Sequence, residues 1–432
     1  MHSRFLPVRK TALRLAAVVV AGLILSAANP ADSFGRSLGQ RLTAIANKAG
    51  PASGVYIYDA TTGQTLVNRR GSKPRILASN AKLFTTAAAL ATFGPSGTIT
   101  TAVSGDGSLT GGIYSGNLYL IGGGDPLFGS DAFVGRRYGT AASAEQLAAK
   151  VVALGVTTVT GNIYGDDSMF DRLPGTAATG FKTSSEIGGK LSALAFDRGV
   201  IYPTGAKFQG DQDRYAAARL RDALKDLDVQ VGGRVSRATA PTSTVRIVDV
   251  QSPSFAEIAA LTNKPSDNFI AEMLMKRLGV SIGELATTAA GTDAAEAFTT
   301  SLGATVQLSD GSGLSRNDQA SPRSVVQFLT GMASRSESSA FANSLAVPGV
   351  SGTLSTRMRG TRASRACAAK TGTLHDVSSL SGYCTSRDGH HMVFSFLMNN
   401  VWPPNARRLQ DRLTVALARS SIGQAGTPSN DY

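Results

Sequence analysis

The sequence predicts an α/β protein of the α+β kind. Its expected body is a five-stranded antiparallel sheet flanked by helices, with a β-rich domain inserted into it. Three observations carry this expectation. "SGVYIYDATTGQTLVN" reads as a hairpin, with "DATTG" turning between two strand-like runs. "SRACAAKTGTL", "SSLSGYCTS" and "HMVFSFLMNN" read as a three-strand meander near the C-terminus, and Asp388-Gly389 marks one of its turns. An isolated strand pair is marginal in water, so the hairpin is expected to complete its sheet with the meander. Residues 97–248 then form an insertion tethered at both ends to one body.

The elements follow in order. Arg4, Arg9, Lys10 and Arg14 form a basic head, and "LAAVVVAGLILSAA" from Leu15 is an apolar core. Ser26 and Ala28 suit the small positions of a cleavage site. The apolar run is shorter than the roughly 20 residues a spanning helix needs. Residues 1–31 therefore read as a secretory signal, cleaved on export to the periplasm or cell envelope. Retention as an uncleaved anchor is the alternative. Leu38, Leu42, Ile45 and Ala46 then show helical spacing. After the hairpin, "FTTAAALATFG" extends the segment around Ser79 into a helix stopped by Gly94 and Pro95, and residues 32–96 make the first part of the body.

From Thr98 short β-like runs alternate with glycine: "TITTAVSG", "GNLYLIGGGDP", "VTTVTGNIYGDDSMFD". The amphipathic patterns "SAEQLAAKVVALG" and "RYAAARLRDALKDL" interrupt them. "GNLYLIG" and "GNIYGDD" are locally alike, without a longer repeat. Helical periodicity returns at "SFAEIAALTNK" and lasts to about residue 335. A last helix follows Pro403 and Pro404, with Asn405 as its expected cap and Leu409, Leu413, Ala416 and Leu417 as its apolar face. Residues 249–419 complete the body, and the polar end, 420–432, reads as a disordered tail.

Composition excludes several function classes. The 42% hydrophobic content is that of a globular chain long enough for more than one domain. The formal charge of +13 suits polyanionic envelope material and peripheral association with it. The Lys and Arg residues are scattered, without a recognition-helix pattern or aromatic–basic stripe, so nucleic acid is not expected as a partner. Two cysteines and four histidines exclude a disulfide-dense scaffold and a multi-histidine metal site. No metal or cofactor is expected. A tight turn centred between His375 and Asp376 would oppose Cys367 and Cys384 directly. They would then be either a disulfide or two buried thiols.

With histidine so scarce, hydrolytic chemistry needs another base. In "LASNAKLFTT", Ser79 and Lys82 lie three residues apart at a helix start and so share one face. A lysine kept partly neutral can take the proton of a serine nucleophile. Alone, the spacing equally describes a capping serine beside a solvated lysine. In "NKPSDNFIAEMLMKRLG", Ser266, Asp267 and Asn268 precede a helix. All three are capping residues, yet Ser266 could relay a proton to a leaving amine. Asn268 could bind a substrate amide and orient Lys82. In "CAAKTGTLHDVSSLSGY", Lys370, Thr371 and Thr373 could hold a terminal carboxylate. Gly372 permits close approach, and the Thr373 N–H could pair with that of Ser79 as an oxyanion hole.

The ordered set S-x-x-K, S-D-N, K-T-G is the signature of class A β-lactamases and penicillin-binding proteins. Ser79 and Ser266 are 187 residues apart, far more than a minimal β-lactamase body needs. The chain resembles class C low-molecular-mass penicillin-binding proteins, the D-alanyl-D-alanine carboxypeptidase/endopeptidase family, which carries a large insertion there. "LYLIGGGDPLF", "GNIYGDDSMFD", "SDGSGLSRND" and "VPGVSGTL" add to the resemblance, which spans about residues 36–415. It implies a β-lactamase/transpeptidase-like body and serine DD-peptidase activity on peptidoglycan stem peptides. It also implies covalent inhibition by β-lactams.

The chain departs from the family at one point. The end of "GDDSMFD" at Asp171 and the start of "RYAAARL" at Arg214 are only 43 positions apart, so the second, nested subdomain of the family insertion is expected to be missing or vestigial. Arg316 is a candidate for an acidic peptide side chain, with a loop ion pair as the alternative. Asp125 is a candidate cleft residue, with a turn role as the alternative. A β-lactamase or esterase on the same body, and a wall-binding protein without catalysis, are the rival readings. Glu284 in "GELATT" lacks the E-x-x-L-N context of a deacylating base.

Overall fold

Continuous burial marks the strand Ser53–Asp59 as central, since all but one of its seven residues are buried. In the computed structural model it is flanked on both sides. The model describes residues 30–201, 207–283 and 285–422, with side chains from Leu38 onward. Glu284, the end of the chain beyond Ile422 and nearly all of the predicted signal lie outside the described residues. Ser53–Asp59 pairs with Gln64–Arg69 on one side and His391–Asn399 on the other, both antiparallel. Val377–Thr385 and Cys367–Leu374 follow outward, so the hairpin and meander form one five-stranded sheet. The register Leu374↔Val377 turns that outer hairpin on His375 and Asp376 and sets Cys367 opposite Cys384. The two cysteines form a disulfide with a Cα–Cα distance of 4.1 Å.

Each face of the sheet closes a separate core. Val55, Ile57, Leu380, Phe394 and Phe396 face the helices Pro30–Ala46 and Pro403–Arg419, whose Leu38, Leu42, Leu413 and Leu417 are buried against them. Tyr56, Val393 and Leu397 face a helical core containing Phe84, Phe269, Met273, Phe328 and Phe341. Each such side chain contributes about 1.5–3 kcal/mol when fully buried. Two expectations at the C-terminus are corrected. The helix starts at Pro403 with Trp402 before it, so Asn405 lies inside the first turn, where it accepts from Arg408. The ordered body extends past residue 420: Ile422 is 4% exposed in the core, and its N–H donates to Asp388.

The inserted region has its own core around Val103, Leu120, Leu147, Val151 and Leu220. It is more mixed than a β-rich domain. A five-stranded sheet runs in the order Val235–Arg237, Ile163–Asp166, Leu118–Ile121, Thr100–Gly105, Val245–Gln251. Its first two pairings are parallel, and parallel strands need crossovers, here containing the helices Ala144–Ala153 and Gln212–Lys225. The local likeness of "GNLYLIG" and "GNIYGDD" reflects stacking of equivalent rungs. Leu118–Ile121 and Ile163–Asp166 pair in parallel, and the Tyr119 and Tyr164 rings stack at 5.1 Å. The segment that would hold a nested subdomain instead crosses the helical body. Its Ile187 and Leu191 are buried in the same core as Phe269.

Candidate active site

Ser79 sits in a single 3-10 turn, Ala78–Asn80, that leads into the helix Ala81–Phe93. The turn is strained, with Ala78 at φ +48. The sheet holds it in place. Ser379 Oγ donates to the Leu77 carbonyl at 2.8 Å, and Asn80 Nδ2 donates to the Lys370 carbonyl at 3.0 Å. Gly372 is required at this crossing. A Cβ there would lie 2.1 Å from Ser379 Oγ and 2.9 Å from the Ser79 nitrogen.

One helical turn on, Lys82 is fully buried. Its Nζ is 3.0 Å from Ser79 Oγ, 2.6 Å from Asn268 Oδ1 and 2.5 Å from the Ser312 carbonyl, which uses all three ammonium donors. Burial lowers its pKa to about 8, against the opposing pull of Glu272, Asp310, Asp267 and Asp318. Ser266 lies in the left-handed region at φ +64, and its Oγ accepts from Lys370 Nζ at 2.8 Å. Lys370 is also fully buried. Burial, and then the charge of Lys82, holds it well below the usual lysine range.

The edge strand supplies the other donors. Ala369 exchanges both backbone bonds with Ala346 across the outer edge. Strand alternation therefore points the N–H groups of Thr371 and Thr373 the same way, off the sheet. The Thr371 hydroxyl bonds to Thr353 Oγ1 at 2.7 Å, and the Thr373 hydroxyl accepts from Arg407 Nη2 at 3.0 Å. The arrangement is two lysine–serine pairs facing a strand edge that presents free N–H groups. It can activate one hydroxyl, carry a proton through the other and receive an anion.

The family comparison places this chemistry. The model of the D-Ala-D-Ala carboxypeptidase 3 (S13) family matches residues 38–210 and 206–420. The chain belongs to this family. It is thus a class C low-molecular-mass penicillin-binding protein and a serine-type D-Ala-D-Ala carboxypeptidase/endopeptidase. The D-alanyl-D-alanine carboxypeptidase of Actinomadura sp. is 30% identical to the enzyme over 457 residues, covering 87% of this chain and 83% of that protein. A carboxypeptidase of Mycobacterium tuberculosis is 29% identical over 84% of this chain and 79% of its own. In fold the enzyme is similar to penicillin binding protein 4 from Haemophilus influenzae, with a TM-score of 0.74 at 20% identity. That match covers 88% of this chain and 99% of the other.

The structure does not bring every predicted residue into the site. Arg316 is taken by a two-bond ion pair with Asp376, at 2.8 and 3.1 Å, which ties its loop to the outer hairpin turn. Asp125 is 1% exposed, and its Oδ1 accepts from the Leu127 N–H at 2.8 Å. It is a buried turn residue, and burial raises its pKa to about 7. Asp125 thus takes the turn role that was its alternative, and Arg316 makes the loop ion pair that was its own.

Sequence reasoning placed Asp310 on a loop near the cleft but missed Glu272 behind Lys82. Glu272 is fully buried and accepts from the Gly311 and Ser312 N–H groups, at 3.0 and 2.8 Å. Asp310 accepts from Ser312, Gly313 and Ser315. Together they shape the loop that offers the Ser312 carbonyl to Lys82. A lone glutamate on the apolar face of "NFIAEMLMKRL" was the available signal. Burial, then the charge of Asp310, raises Glu272 to about 8.

Proposed function

We propose that the enzyme cleaves the D-Ala-D-Ala bond of peptidoglycan stem peptides through an acyl-enzyme on Ser79. The observation that carries this reading is Lys82 Nζ at 3.0 Å from Ser79 Oγ in a fully buried setting. At a pKa of about 8, roughly one-tenth of Lys82 is neutral at pH 7. Neutral Lys82 takes the Ser79 proton as Oγ attacks the carbonyl carbon of the penultimate D-Ala. The oxyanion faces the N–H groups of Ser79 and Thr373. As the tetrahedral intermediate collapses and the C–N bond breaks, Ser266 relays the proton that Lys82 took to the departing D-alanine amine, which leaves Lys82 neutral again. Lys370, Thr371 and Thr373 hold its carboxylate. Water, deprotonated by Lys82, then cleaves the ester and restores Ser79. When the departing amine belongs to a neighbouring stem peptide, the same steps open a cross-link.

The basic N-terminal segment supports an exported enzyme working at the cell envelope, and the charge of +13 supports peripheral attachment there. No described helix is long and apolar enough to cross a membrane. Residues 97–248 are proposed to form one wall of the cleft. The test is incubation with a fluorescent penicillin, intact mass and peptide mapping, beside D-alanine release from a D-Ala-D-Ala peptide. A stable adduct on Ser79 with D-alanine release supports the reading. Rapid penicillin turnover supports a β-lactamase, and no adduct on the folded protein supports a non-catalytic binder.

A further inference from the structure

Asp267, the middle residue of the Ser266–Asn268 triplet, caps the helix Asn268–Gly279 by accepting from the Ile270 N–H at 3.0 Å. A cap needs nothing more, yet this carboxylate also takes a guanidinium from the inserted region. Arg198 Nη1 and Nη2 donate to its two oxygens at 3.1 and 2.7 Å. Arg198 is 3% exposed and stands on left-handed backbone at φ +57. It lies over the rings of Phe269 and Tyr138, at 4.9 and 5.5 Å, and its Nε donates to Tyr138 Oη at 2.6 Å. Burial alone would raise the Asp267 pKa. Arg198, the Ile270 N–H and Arg137 outweigh it and hold the carboxyl below its usual range.

A second link lies one residue along. Asn268 Nδ2 donates to the Glu186 carbonyl at 2.7 Å, and Glu186 also comes from the inserted region. That bond, with Lys82 Nζ on Oδ1, fixes which end of the amide faces the lysine. A buried ion pair gives little net stability once desolvation is counted, but its rigid two-bond geometry restricts position.

We propose that the inserted region is part of the catalytic machinery. Arg198, through Asp267, and the Glu186 carbonyl, through the Asn268 amide, hold Asn268 Oδ1 on the Lys82 amine, so acylation depends on the inserted region being seated on the body. Arg198 touches no reacting atom and is a positioning residue. The inference rests on the Ser79–Lys82 reading above.

The experiment uses Arg198→Gln and Arg198→Lys in the full chain. Acylation by a fluorescent penicillin is resolved into a saturating rate and a dissociation constant, with circular dichroism as the check on folding. Displacing a catalytic contact by about 1 Å costs roughly 100-fold, so Arg198→Gln should slow the saturating rate about 30- to 100-fold. The dissociation constant should stay within about threefold, and Arg198→Lys should recover part of the rate. In an Asn268→Ala background, Arg198→Gln should cost less than about threefold more, because the contact it positions is already gone. A folded Arg198→Gln protein that labels at the wild-type rate overturns the inference, as do losses that multiply in the double variant. Should Arg198→Gln not fold, Tyr138→Phe removes only the acceptor of Arg198 Nε. A slower rate then supports the inference, and an unchanged one overturns it. Absence of label on wild-type Ser79 overturns the underlying reading, and this inference with it.

Discussion

Replacing Asn268 with aspartate would set a carboxylate where an amide oxygen now lies 2.6 Å from Lys82 Nζ. The shape is nearly unchanged, and the charge is the perturbation. In the native site burial brings Lys82 to about 8. An opposite charge at contact raises a lysine by about 1–3 pK units. Taking two units, about 2.7 kcal/mol, the neutral fraction at pH 7 falls from roughly one-tenth to roughly one-thousandth. Acylation of Asn268→Asp at pH 7 should therefore be about 100-fold slower than wild type, and the deficit should close as pH approaches 10. Stopped-flow labelling with a chromogenic β-lactam from pH 6 to 10 measures both limbs. The variant also loses the donor to the Glu186 carbonyl, which appears as a residual, pH-independent deficit. A loss of equal size at every pH would refute the assignment of Lys82 as the base.

Four further outcomes follow from the same geometry. Lys82 falls from 10.5 unfolded to about 8 folded, so folding releases its proton between those values and wild-type stability should rise with pH across that window. Urea unfolding at pH 8 and pH 10 should show a smaller rise for Lys82→Met. Reducing the Cys367–Cys384 disulfide, which spans 17 residues, should cost about 3 kcal/mol by denaturant unfolding with and without reductant. Asp376→Ala removes the partner of Arg316 at an exposed pair and should leave the melting temperature within about 2 °C and β-lactam labelling unchanged. Phe84→Ala empties a fully buried site whose ring packs 4.4 Å from that of Phe328 on the helix that carries Lys82. It should cost about 3–5 kcal/mol in chemical denaturation.

Much of the site was legible because its parts are local. Ser79 and Lys82 are one helical turn apart, Ser266 and Asn268 bracket a helix start, and Lys370 to Thr373 is a single strand end. Hydrophobic period and turn chemistry are read over a few residues, and they set the two halves of the sheet. They also set the hairpin on His375 and Asp376, and with it the opposition of Cys367 and Cys384. For Arg316 and Asp125 the choice between cleft and structural role was open in the sequence for a complementary reason. Their residue types suit a cleft, but Arg316 is occupied by Asp376, 60 residues away, and Asp125 is turned into the interior.

By itself the sequence determined which chemical groups are present and which local element carries each one, because helix and strand periodicities are short-range. Only the tertiary structure decided what those groups are worth. Burial among the surrounding helices and loop lowers the Lys82 pKa to about 8, while Glu272 and Asp310 shape the loop beneath it. Arg198 and Asp267 meet across 69 residues, and Lys370 and Ser266 across 104. Such pairs leave no periodic trace in the chain, since burial and charge pairing depend on every segment that packs around them.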